Sequence, residues 1–270
     1  MLWAMWAPWY VGFVKIDGTP ELIDLGSPLT WSESIQQVVA EIVVEVREWP
    51  EVINGCTSCD LGGHDYERTK EIEVRFRQVI STSSILAYHA TRLLPHEVDS
   101  IQKFGLDPLS AELVERKLSA AAEHYPDLIS EADIQLLQRS GPLTWQRGGI
   151  RLGLLWMVAP FAIFANETTG FRSLFGRWGG EVIGWTEDET SVCRPAADII
   201  DRLSKVSRPS IVKLSIDPQA VPLNRALWPT AVGGILGCDN SWAEWALNGP
   251  VGADYVLGVI QPESGDSEGG

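Results

Sequence analysis

The chain of 270 residues lacks an uncharged apolar run long enough to cross a bilayer. The run 152–165 is shorter than the ~20 residues a spanning helix needs, and Pro160 interrupts it. Positive charge is scarce. Lys and Arg number 21 against 36 Asp and Glu, a net charge of −15 that repels nucleic acid and anionic membrane at long range. No positive charge precedes Lys15 in the apolar N-terminal stretch, and no cleavage pattern follows it. The expectation is a cytoplasmic protein without a membrane partner. Cysteine is also sparse, at four residues. Cys56 and Cys59 with His64 make half a zinc set, while Cys193 and Cys238 stand alone, so no metal is expected. No internal repeat is present. With 45% hydrophobic and 21% charged residues, the composition is that of a folded chain with a sizeable core. The stretch 261–270, acidic and rich in Gly and Ser, reads as a free tail.

What is present divides near residue 80. Tyr10–Ile16 and Glu21–Leu25 flank the turn sequence Asp17-Gly18-Thr19-Pro20, which predicts a β-hairpin. Thr30 and Glu33 have capping-box spacing, and Ile35, Val38, Val39, Ile42, Val43 and Val46 then recur at helical intervals. Residues 51–68 read as a loop. Ile72, Val74, Phe76 and Ile80 alternate with Glu73, Arg75 and Arg77, which predicts a half-buried strand. Residues 1–80 are thus a hairpin–helix extension, and 81–260 are the main domain.

The main domain opens with a strand. Ile85, Ala87, His89 and Thr91 share one face, and Leu86, Tyr88 and Ala90 the other. Ser81, Thr82 and Ser83 before it read as linker. Pro95 suits the first turn of a helix whose buried stripe is Val98, Ile101 and Phe104, with Gly105 as its stop. A further helix runs from Leu109 to Ala122. His96 falls on the helix surface. Between Asp133 and Glu181 the only acid is Glu167, whereas Arg139, Arg147, Arg151, Arg172 and Arg177 lie inside. This basic island fits a local anion site or, equally, ion pairs with acids elsewhere. Phe171, Phe175 and Trp178 accompany it, ahead of a strand at 181–185. Ser210–Pro218 forms another strand, and Glu244 introduces a strand–turn–strand reaching Ile260.

A strand bearing His-x-Thr, a short helix and then Gly-Leu resembles the opening of the NAD-binding core of ADP-ribosyltransferases. The aromatic helix beside the basic island and the Glu of the last strands are similar to later parts of that superfamily, over about 180 residues in all. The resemblance implies an α+β fold with a split antiparallel sheet. It implies that NAD is bound as a substrate. His89 would hold a ribose hydroxyl, with Ala90, Thr91 and Arg92 around the nicotinamide pocket. Phe171, Phe175 or Trp178 would stack on the ring, and Arg172 or Arg177 would meet the pyrophosphate. Glu244 would be the catalytic acid on a final hairpin, with Glu181, next to Gly179 and Gly180, as its rival.

The implied activity is mono-ADP-ribosyl transfer to a macromolecule (RNA, DNA or protein), of the kind found in toxins and phage-defence effectors. An antitoxin or regulatory protein is an implied partner. Trp242 stands two residues before Glu244, where arginine-modifying members carry Glu or Gln, so a protein-arginine acceptor is not implied. Two other readings share the fold: a binding module that does no chemistry on NAD, and an NAD glycohydrolase.

Overall fold

The computed structural model describes residues 20–49, 66–140, 152–165, 175–179, 194–222, 225, 227–237 and 242–262. The fold is mixed α+β, with six strands and seven α-helices among these residues. The strands are β1 (Glu21–Ile23), β2 (Ser83–Leu93), β3 (Leu154–Ala159), β4 (Arg208–Ile216), β5 (Ala243–Asn248) and β6 (Val256–Ile260). The helices are α1 (Glu33–Val46), α2 (Tyr66–Ile80), α3 (Pro95–Phe104), α4 (Ala111–His124), α5 (Glu131–Ser140), α6 (Arg194–Val206) and α7 (Trp228–Leu236). The sheet runs β5-β3-β2-β4-β6, antiparallel throughout. β1 joins it in parallel, beside the start of β2.

Alternation along β2 sorts its side chains as the sequence predicts. Ile85 and Ala87 face the main core, with Met157, Val212 and Trp245 from the neighbouring strands. Leu86 and Tyr88 face a smaller cluster with Val158, Ile163 and Ile211, edged by Phe161, Phe164, Phe175 and Trp242. Helices α1, α2 and α7 cover the first face. A separate apolar cluster joins α4, α5 and α6 around Trp178.

Several expectations change. Residues 66–80 form a helix, not a strand. Ile72, Phe76 and Ile80 are spaced by four, which fits a period of two as well as one of 3.6, but Val74 is 56% exposed and breaks the alternation. Thr30 does not cap α1. Its hydroxyl accepts from the Asp24 N–H and donates to the Ser27 carbonyl, fixing the turn after β1. Glu21–Ile23 pairs with β2 in the main sheet, across the boundary set near residue 80, while the other arm of the expected hairpin lies outside the described residues. Ser83 belongs to β2, and Phe104 is exposed. β5 and β6 do not make a hairpin: they occupy opposite ends of the sheet.

The link from β5 to β6 is held by a bridge between Leu106 and Val251, made possible by Gly105. Gly105 has φ +89°, and a Cβ there would lie 2.0 Å from the Val251 carbonyl oxygen. α2 is fastened to α7 by charge. The buried Glu73 carboxylate accepts from the Leu227 and Trp228 N–H groups, at 2.8 and 3.3 Å, and pairs with Arg77. Arg77 in turn donates to the carbonyls of Pro218, Val221, Pro222 and Arg225. Glu73→Ala removes the counter-charge of this guanidinium and leaves two N–H groups at the start of α7 without their acceptor. It is expected to cost about 3 kcal/mol, read as a lowered Tm in thermal unfolding. A Tm within about 1 °C of the parent would remove the clamp from the account.

Candidate functional site

β2 pairs with β4 over nine residues and β3 with β5 over all six, yet β2 and β3 meet at one register pair, Tyr88 and Val158. Beyond that pair the two halves of the sheet part, and a cavity of about 530 Å³ lies along the gap. Its strand wall takes consecutive residues of both faces, 88–91 from β2 and 154–158 from β3, as expected at a parted seam. Its helical wall comes from α3 and α4. The volume falls in the range of small-molecule sites.

His89 bridges the gap. Its Nδ1 lies 2.8 Å from the Trp156 carbonyl oxygen, where a β-ladder bond would otherwise run. A carbonyl only accepts, so Nδ1 carries the proton and Nε2 of the neutral ring is an acceptor. His89 keeps some accessible surface because it opens into the cavity, yet protein surrounds it. That desolvation lowers its pKa. The Trp156 bond opposes the shift and the Lys117 charge adds to it. A neutral imidazole at pH 7 follows.

Glu244, half-buried on β5, lines the same cavity. It is paired with Val158, and Val158 with Tyr88, so its row is one residue out of phase with His89. In a continuous sheet the two side chains would leave opposite faces. The parted seam is what lets both reach one space. Ala90 and Thr91 line it as well.

The other described candidates lie away from the cavity. Arg92 is spent on the C-terminal end of α6: its Nε donates to Ser204 O and Ser207 Oγ, its Nη2 to Ser204 O and Ser207 O, and its Nη1 to Phe175 O. A guanidinium suits the unpaired carbonyls of a helix end, and here none of its three nitrogens faces the cavity. Phe175 packs in the small aromatic cluster, 5.9 Å from Phe164. Arg177 pairs with Asp201 at 3.9 Å. Trp178 is wholly buried, and its Nε1 donates to Glu97 Oε2 at 2.8 Å, so its ring cannot stack on a ligand in the cavity. Phe171, Arg172 and Glu181 lie outside the described residues, as do all four cysteines and the strand expected at 181–185. Among the described residues no group of three or more His, Cys, Asp or Glu is placed to hold a metal ion.

Both helices of this wall are expected from the sequence, but not their place on the cavity or the pair that joins them. Glu97 lies in the first turn of α3 and is buried there, with Lys117 Nζ 2.8 Å from Oε1. Oε2 accepts from Trp178 and from the Leu94 N–H. Burial pushes the Glu97 carboxyl up, but the Lys117 charge and these hydrogen bonds outweigh it and hold it below the ordinary range. The one available signal was a Glu two residues after Pro95, a first-turn acid; its partner twenty residues on carries no local signature. His96, expected on the surface, lines the cavity and stacks on His124. Arg116, beside Lys117 on the wall, pairs with Asp107.

Comparison with protein-family models, curated proteins and solved structures finds no match. The site therefore rests on its own geometry. Lys117→Met leaves a buried carboxylate without its cation. The Glu97 pKa is expected to rise toward or past its unfolded value, so the stability this carboxylate gives the parent above that value shrinks in the variant, and acidification costs the variant less. Thermal unfolding of both at neutral and acid pH measures this, and an equal loss of Tm on acidification would contradict it.

Proposed function

We propose that the chain is a mono-ADP-ribosyltransferase that binds NAD in the seam cavity, releases nicotinamide and passes ADP-ribose to a macromolecular acceptor. The observation that carries this reading is the convergence of a neutral histidine and a carboxylate, His89 and Glu244, on one cavity between the two halves of the sheet. Nε2 of His89 accepts a hydrogen bond from a ribose hydroxyl. Its ring orientation is fixed beforehand by the Trp156 carbonyl, so little freedom is lost on binding.

Glu244 faces the reacting sugar carbon. The bond from C1′ to the nicotinamide nitrogen breaks, and its electron pair leaves with nicotinamide, which becomes neutral. The positive charge that grows on the sugar is stabilised by the Glu244 carboxylate. The acceptor's nucleophilic atom then bonds to C1′ from the other side, and its proton passes to Glu244. On the helical wall an anionic pyrophosphate meets Lys117 and Arg116, which are paired there with Glu97 and Asp107, whereas Arg177 lies outside the cavity lining.

Purified protein, incubated with labelled NAD and a cell lysate, is expected to transfer label to a macromolecule. Digestion with nuclease or protease then identifies the acceptor class. Glu244→Gln keeps the size of the side chain and removes its charge, and should lower kcat by about 10²–10³-fold. Free ADP-ribose without transfer would turn the reading to a glycohydrolase. Equal turnover by the variant would remove Glu244 from the chemistry.

A further inference from the structure

At the far end of the helical wall, His96 in the first turn of α3 lies flat against His124, the last residue of α4. Their ring centroids are 4.2 Å apart and their planes 18° from parallel, with the Tyr125 ring 5.9 Å from His96. Both ring nitrogens of His96 are buried and neither has a hydrogen-bond partner. A buried polar atom without a partner is rare enough to need a reason. The stack joins the first turn of α3 to the last residue of α4; His96 itself lines the cavity, and α4 lines it as far as Ala120. We propose that this His96–His124 stack is a proton-sensitive clasp: neutral, it holds α3 against α4 and keeps the cavity wall closed, and on taking up a proton it opens and weakens ligand binding.

A proton on His96 has no acceptor within the stack, and it sits at the helix end where the macrodipole is positive. The groups around it are Glu97 and Asp99 from α3, and Lys117, His124 and Tyr125 from α4 and its end. Burial is the largest influence and lowers the His96 pKa. Glu97 and Asp99 oppose it, and the charges of His124 and Lys117 reinforce it. Glu97 is already engaged by Lys117, Trp178 and Leu94, which limits what it can offer a second cation. The sign follows directly. The unfolded chain takes the proton first, so the stabilisation is complete above the unfolded value of about 6.5 and is lost as pH falls through the folded one.

The test uses the full chain and two readouts, with ADP-ribose as the cavity probe, a choice that rests on the function proposed above. Cε1–H resonances of the four histidines, assigned by single substitution, give the His96 titration directly in the parent protein. His96 is expected to titrate below pH 6.5. Below that pH the parent should lose about 3 °C of Tm per pH unit more than His96→Phe, which fills the space without a titrating group. Its affinity for ADP-ribose should fall several-fold more over the same range than that of His96→Phe, in which His89 still titrates; His96→Gln provides a second, polar replacement. A His96 resonance titrating at or above pH 6.5 overturns the clasp. So does an unchanged pH dependence of Tm and affinity in both variants. If the parent binds no ADP-ribose at any pH, the NAD reading and the coupling to it fail, and the resonance and Tm data still decide the clasp itself.

Discussion

The early end of the β2–β3 ladder is the constraint on which the site depends. One register pair, Tyr88 with Val158, links two halves whose own ladders are long, nine pairs from β2 to β4 and six from β3 to β5. Backbone groups past that point need other partners. One of them, the Trp156 carbonyl, takes the imidazole of His89. A single hydrogen bond thus gives the Trp156 carbonyl its partner, fixes the tautomer of the ring and aims its second nitrogen. Opening the seam also brings a residue of the wrong phase, Glu244, into the same space.

The helical wall is built on a different physical basis. The strand wall gains its shape from backbone pairing, whereas α3 and α4 are joined by a buried ion pair, Glu97 with Lys117, and by stacked imidazoles. Burying Glu97 is tolerable because its oxygens are engaged by an ammonium, an indole N–H and a backbone N–H together. Trp178, wholly enclosed, connects this carboxylate to the cluster of α4, α5 and α6, and its backbone N–H donates to Ser204 Oγ in α6. The cavity is therefore braced from two apolar cores at once.

The legible parts of the sequence were those where one residue's neighbours in the chain decide its environment. The alternation through 85–91, Pro95 and Gly105 at the ends of α3, and the strand at 210–216 all follow from local rules. Residues 72–80 misled because apolar residues spaced by four satisfy both periods, and the exposure of Val74 that separates them depends on what packs nearby. Arg92 and Trp178 misled for a related reason. Each has the chemistry of a ligand contact, and each is claimed by a partner distant in sequence, Ser204 and Ser207 in one case and Glu97 in the other. The pairing of β5 with β3 and of β6 with β4 lies beyond local reading too, because seven residues link two strands that end on opposite sides of the sheet.

That last arrangement bears on how the chain assembles as it is made. β2, β3 and β4 can pair once residue 216 is available, but both outer positions of the sheet wait for residues after 242. A growing chain emerges in order, so its inner strands stand with open edges until residues after 242 have emerged. The carboxylate wall of the cavity arrives with the same late segment. During translation the His89 side of the cavity is made before the Glu244 side, so its lining is complete only once residues after 242 have emerged.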